Sequence, residues 1–126
     1  PPTADRFGFT GDQVGENRPL ARDADGNALG GVRTPWVEAP LAAYAPHGTP
    51  RSATPAEHEI WGARLTGTMR RFLPDLVRAR HGDLAGYRAA FERATTRLEE
   101  QGLLLPEGAA ELRASVDERW HAATGD

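Results

Sequence analysis

Arg22-Asp-Ala-Asp-Gly-Asn-Ala-Leu-Gly-Gly-Val-Arg-Thr-Pro-Trp-Val-Glu-Ala-Pro-Leu-Ala-Ala-Tyr44 gathers a polar turn, a glycine pair, two arginines, two prolines and two aromatics into one run of chain. The run is too interrupted for a helix, so it must hold a specific irregular backbone, and such backbone is where functional surface is first sought. Its opening, Asp23 to Asn27, is a turn signal. Asp and Asn side chains bond backbone groups two residues on, and Gly26 takes positive φ at no steric cost. The alternating oxygens of Asp23, Asp25 and Asn27 also resemble the start of a calcium loop. Ala28, however, stands where that loop needs its sharp-turn glycine, and Thr34 where it needs a bidentate glutamate, so a tight turn is the reading.

Gly30-Gly31 permits close backbone approach, but no G-x-G-x-x-G or G-K-[ST] pattern surrounds it, which excludes a phosphate loop. Pro35 and Pro40 push the residues before them toward extended backbone. Residues 32–41 are therefore expected to run as a strand-like ribbon that contributes Trp36 and Leu41 to a packed surface. Trp36 reads as a core or covering residue before it reads as a ligand platform.

Around this run the composition sets limits. With 126 residues the chain suits one domain with a modest core. No stretch approaches the roughly 18 apolar residues of a membrane span. The start, Pro-Pro-Thr-Ala-Asp, has no Met, basic n-region or apolar h-region, and reads as an interior or processed start. Absence of cysteine removes disulfides, thiolate nucleophiles and cysteine-type zinc sites, and leaves the compartment unspecified. All 15 basic residues are arginine, which reads as a coding bias, and a net charge of −3 argues against a nucleic-acid partner.

Composition changes near residue 60, dividing an arm and loop segment (1–60), rich in proline and glycine, from a helical segment (61–126). Up to Ile60 eight carboxylates outnumber five arginines; beyond it the charges balance and helix formers dominate. Phe7 and Phe9 about Gly8 give only a brief strand-like alternation. Residues 45–55 read as loop, with Thr54 as a helix cap and Pro55 at the first helical position after it. Further on, Pro74 opens a short helix ending near His81-Gly82. Asp83 caps a longer one bearing Leu84, Tyr87, Phe91, Ala94 and Leu98 on one face, and Gly102 ends it. Pro106 and Glu107 open a last helix in which Leu112, Val116 and Trp120 recur every four residues. The short connection makes these two helices an antiparallel αα-hairpin.

No catalytic constellation is visible. Ser52 and Ser115 lack a G-x-S-x-G frame. His47, His58, His81 and His121 are dispersed, and the consecutive Glu57-His58-Glu59 cannot converge from a helix on one metal, so no metal or cofactor is implied. His81 and His121 sit where a helix C-terminus favours positive charge. Arg64, Arg70, Arg71, Arg78 and Arg80 form a basic cluster relieved by Asp75. A solvated face is its ordinary meaning, and an acidic protein surface the alternative.

The Arg22–Tyr44 run resembles a motif near the C-terminal end of a bacterial family of α/β-hydrolase domain proteins. The later pattern from Tyr87 through Gly102-Leu-Leu-Leu-Pro-Glu107 to Leu112 is similar to that family's closing helical pair. The resemblance implies a serine hydrolase of the carboxylic-ester type, with nucleophile and triad histidine upstream of this motif, so that no catalytic residue carries over. It implies a mainly helical part of an α/β-hydrolase architecture with an irregular first half, which by itself lacks the acyl-transfer machinery. Gly30, Gly31, Arg33, Thr34 and Trp36 would then line a pocket for a small ester substrate, Arg33 bracing the loop or holding a substrate carboxylate. The partner of this segment would be the rest of the hydrolase or another protein surface. The alternative is a self-standing helical interaction module with no enzymatic activity.

Overall fold

A computed structural model describes residues 21–46, 48, 51, 52, 54 and 56–126, with the Arg64 side chain excepted. The Phe7–Phe9 alternation, His47 and Pro55 lie outside the described residues.

The turn at the head of the quoted stretch forms as its letters require. Asp23 N–H donates to the Asn27 carbonyl at 2.8 Å and Gly26 N–H to the Asp23 carbonyl at 3.0 Å, with Gly26 at φ 90°. Arg22 and Ala28 face each other in an antiparallel bridge. The expected ribbon after it is broken. Pro35–Glu38 is a single helical turn, α1, because Pro35 occupies the first helical position and its fixed φ suits a helix as well as a ribbon. Thr34 keeps the extended backbone imposed by Pro35, at φ −70° and ψ 162°. Extended chain returns as β1, Ala42–Ala45.

The helix after the loop, α2 (Glu57–Leu65), starts at Glu57 with Ala56 in the cap position, later than the Thr54 signal places it. It makes few contacts with the other elements and exposes Trp61 and Leu65. Next comes β2, Thr68–Arg71, a strand absent from the sequence reading; it pairs antiparallel with β1, Ala43 opposite Arg70 and Tyr44 opposite Met69. All four residues of β2 are exposed.

The helical layer follows the sequence closely. Helix α3 (Pro74–His81) begins at its proline and stops at Gly82, whose φ is 81°. Asp83 accepts from the Gly86 N–H at 2.8 Å to cap α4, Leu84–Glu100. The reversal between α3 and α4 is so tight that a Cβ on Gly86 would lie 2.1 Å from the His81 carbonyl oxygen. The expected last helix is instead two, α5 (Pro106–Ala114) and α6 (Val116–Thr124). Ser115 divides them: its hydroxyl donates to the Leu112 carbonyl at 2.8 Å, competing with the helical backbone pattern.

Helix α4 packs against α5 and α6. Arg113 pairs with Glu92 and Glu99, and Arg88 with Asp117, so positions rise on one side as they fall on the other, the order of an antiparallel hairpin. Between these helices and α3 lies the core of Val77, Tyr87, Phe91, Val116 and Trp120, joined by Ala39 from the end of α1. Tyr87 is its hub, with ring centroids 5.1 Å from His81, 5.8 Å from Phe91 and 5.8 Å from Trp120. Burial pushes its phenol up to about 12.

Candidate functional site

The irregular stretch is held rigid from inside by three polar side chains. Asp23 accepts the backbone N–H groups of Asp25 (3.0 Å) and Asn27 (2.9 Å), closing the turn. Arg33 reaches back across the glycine pair. Its Nη2 donates to Asp23 at 2.7 Å, Nη1 to the Ala28 carbonyl and Nε to Glu38. Glu38 is also within 3.6 Å of Arg97 on α4, which ties the loop to the helical layer.

Asn27 is the third. It is 1% exposed, and its amide bonds the strand instead of its own turn: Nδ2 donates to the Ala42 carbonyl at 3.1 Å, and Oδ1 accepts the Tyr44 N–H at 2.7 Å. The Phe72 N–H donates to the Leu41 carbonyl, so in this register Ala43 and Arg70 turn their backbone groups toward each other and Ala42 and Tyr44 turn theirs outward. Asn27 therefore finishes the outer edge of β1 in place of a third strand. Arg22 adds bonds to the carbonyls of Gly26 (2.7 Å) and Tyr44 (3.3 Å).

The residues singled out by sequence fall into distinct places. Gly30 and Gly31 are exposed, and added Cβ atoms there would meet nothing within 4 Å; Gly31 is needed for its φ of 79°, not for close approach. Thr34 precedes α1, with its carbonyl accepting the N–H groups of Val37 and Glu38. Arg33 has all three of its nitrogen atoms engaged within the loop. Trp36, 41% exposed, lies 4.7 Å beneath the Arg119 guanidinium of α6.

That stack leads to a cleft of about 150 Å³ between the two strands and α6. Leu41, Ala42, Phe72, Ala122 and Ala123 give it an apolar lining; Met69, Tyr44, Arg71 and Arg119 complete it. Sequence reasoning missed this site. Met69, Arg71 and Phe72 belong to or adjoin a strand of four residues, too short to print an alternation. Ala122, Ala123 and Arg119 converge on it only because Ser115 redirects the chain into α6.

Several other polar groups singled out by the sequence are engaged within the chain. Ser52 Oγ donates to Glu59 at 2.8 Å, and Ser115 Oγ to a backbone carbonyl. His81 Nε2 lies 2.8 Å from the Pro40 carbonyl; burial lowers its affinity for a proton, with that carbonyl opposing the effect. Within the basic cluster, Arg78 pairs with Asp75 and Asp126, and Arg80 with Asp25. No grouping of three or more His, Asp or Glu suited to a metal occurs among the described residues. No helix among them is long and apolar enough to cross a membrane.

At Asp23, burial acts to raise the carboxyl, and hydrogen bonds from Arg33, Asn27 and Asp25 outweigh it, leaving the group below its usual 3.8. A carboxyl depressed in the folded state contributes stability above its unfolded value, and that contribution disappears as pH falls through the lower folded value. Urea stability should therefore decline below about pH 4, and Asp23→Asn should remove part of that decline. An unchanged acid slope in Asp23→Asn would contradict the assignment.

A family model described as alpha/beta hydrolase domain matches residues 1–114. The match includes the whole Arg22–Tyr44 run and both strands, and stops before α6 with its Arg119, Ala122 and Ala123. No curated protein and no solved structure matches the chain.

Proposed function

The chain belongs to the alpha/beta hydrolase domain family, and on that premise we propose that it is the C-terminal, non-catalytic portion of a serine hydrolase of the carboxylic-ester type. In this reading it supplies a wall of the substrate pocket and packs helices on the hydrolase core. The Arg22–Tyr44 loop, with Gly30, Gly31, Arg33, Thr34 and Trp36, frames that wall for a small ester substrate. Arg33 keeps the frame rigid, and Trp36 meets the cleft through Arg119.

The observation that carries the reading is the state of the sheet. Its β1 edge is finished by Asn27, whereas the outward backbone groups of Met69 and Arg71 on β2 have no partner among the described residues. Met69 on that strand, Leu65 before it, and Leu73 and Leu76 after it are at least half exposed. An open edge beside exposed apolar side chains is a surface that proteins ordinarily cover. The remainder of a hydrolase sheet fits it.

The test is reaction of the 126-residue chain with a fluorophosphonate probe and with p-nitrophenyl esters. No stoichiometric labelling and no burst are expected, because Ser52 and Ser115 are bonded to Glu59 and to a backbone carbonyl. Stoichiometric labelling of either serine would overturn the non-catalytic reading. The closed core around Tyr87 favours a second reading, a self-standing helical interaction module. A module would melt sharply as a monomer and bind little anilinonaphthalene dye, whereas a wall segment with uncovered apolar surface should bind the dye strongly.

A further inference from the structure

We propose that the cleft between β1, β2 and α6 binds a small carboxylate whose apolar body is about the size of one aromatic ring. This deepens the pocket-wall reading by naming a ligand class for the cleft, and it needs neither a nucleophile nor turnover.

Size comes first. The cavity volume is about 150 Å³, and apolar protein cavities of about that volume accept benzene. Phe72, Leu41 and the Ala122-Ala123 surface of α6 offer the body an apolar bed.

Charge selects the head group. Arg71 and Arg119 both line the cleft, and among the described residues no Asp or Glu does. Neither arginine forms an ion pair among the described residues, whereas Arg33, Arg78, Arg80, Arg88, Arg97 and Arg113 all do. In a chain of net charge −3, two guanidinium groups without a carboxylate among the described residues, beside one apolar cleft, suit an anion from outside.

Arg119 is also held in place. Its Nε donates to Ser115 Oγ at 3.1 Å, and its guanidinium lies over the Trp36 ring. The Nη groups have no hydrogen-bond partner among the described residues, and a planar fork fixed in this way suits the two oxygens of a carboxylate. Arg71 reaches the cleft by strand alternation, sharing a face of β2 with Met69 while Arg70 turns to the other.

The experiment is a ¹H–¹⁵N NMR titration of the 126-residue chain with benzoate, benzyl alcohol and inorganic phosphate at low ionic strength. Benzoate should give saturable shifts at Tyr44, Phe72, Ala122 and the Trp36 indole, with Kd on the order of 1 mM. Benzyl alcohol and phosphate should each bind at least about tenfold more weakly, the first lacking the charge and the second the apolar body. Arg71→Gln, at an exposed position whose side chain has no ion pair among the described residues, and Arg119→Lys, which keeps the charge and loses the fork, should each weaken benzoate about tenfold. Arg70→Gln should leave binding unchanged. Equal binding of benzyl alcohol or phosphate, no saturable shift with benzoate, or wild-type affinity in both cleft variants would overturn the proposal. None of these results changes the outcome of serine labelling, so the two readings fail separately.

Discussion

Asn27→Ala is expected to lower stability by about 2–4 kcal/mol, because it strands the Ala42 carbonyl and the Tyr44 N–H together on the outer edge of β1. The asymmetry of hydrogen-bond energetics decides the size. A satisfied bond contributes only about 1 kcal/mol net, but each buried group left without a partner costs about 1–3 kcal/mol. Asn27 is buried, and water reaches the vacated groups only if the turn lifts away from the strand. Asn27→Asp separates the two halves of the role: its oxygen still accepts from Tyr44, but an ionised carboxylate cannot donate to Ala42 and is itself buried. It should be destabilised at neutral pH and should recover in part on acidification, opposite in sign to the acid loss assigned to Asp23. Urea unfolding with an unchanged m-value is the measurement. A loss below about 0.5 kcal/mol in Asn27→Ala would mean that the amide does not hold the edge.

The largest single loss is expected in the core. Phe91→Ala should cost about 3–5 kcal/mol, as Phe91 is fully buried and packs against Tyr87 at the meeting of α4 with its neighbours. The cost combines the transfer of the ring with the cavity it leaves, because Ala39, Val77 and Trp120 are fixed by their own elements and can refill the space only in part. Total stabilities of about 5–15 kcal/mol make such a loss a large share of the whole. Phe91→Leu, which restores most of the volume, should retain most of the stability. Equal losses in Phe91→Ala and Phe91→Leu would show that volume at this position is not what matters.

The helical layer could be read in advance because its signals are local. Pro74 and Pro106 stand at first helical positions, Asp83 caps α4, glycines with positive φ follow α3 and α4, and the stripe from Tyr87 to Leu98 repeats with the helical period. The partnership between strands was not legible. Thr68–Arg71 is exposed throughout, so no burial pattern marks it, and it meets Ala42–Ala45 only after α2 has intervened. Proline misled at α1, where a residue that extends its predecessor also starts a helix. Ser115 misled in the other direction, as one side-chain bond to Leu112 breaks a stripe that otherwise runs without interruption to Trp120.

The stretch from Arg22 to Tyr44 was marked by its letters as unusual, but not by what those letters bond. For Arg33 the sequence offers bracing of the loop or a ligand, and its hydrogen bonds to Asp23, Glu38 and Ala28 lie within the loop. The letters place Asn27 in its own turn, and its side chain instead reaches a strand fifteen residues on. Arg119, the arginine facing the cleft, comes from a helix whose direction depends on Ser115. Long-range placement of this kind has no periodic signature in a sequence.

The pocket-wall reading rests on a sheet finished at one edge and open at the other, and residue-resolved hydrogen exchange on the 126-residue chain tests that most directly. The Tyr44 amide, held by Asn27, should be strongly protected, while the outward amides of Met69 and Arg71 exchange at nearly the rate of unstructured chain. Protection of Met69 and Arg71 equal to that of Tyr44 would show that the β2 edge is already covered, and would contradict the reading of this chain as part of a larger hydrolase sheet.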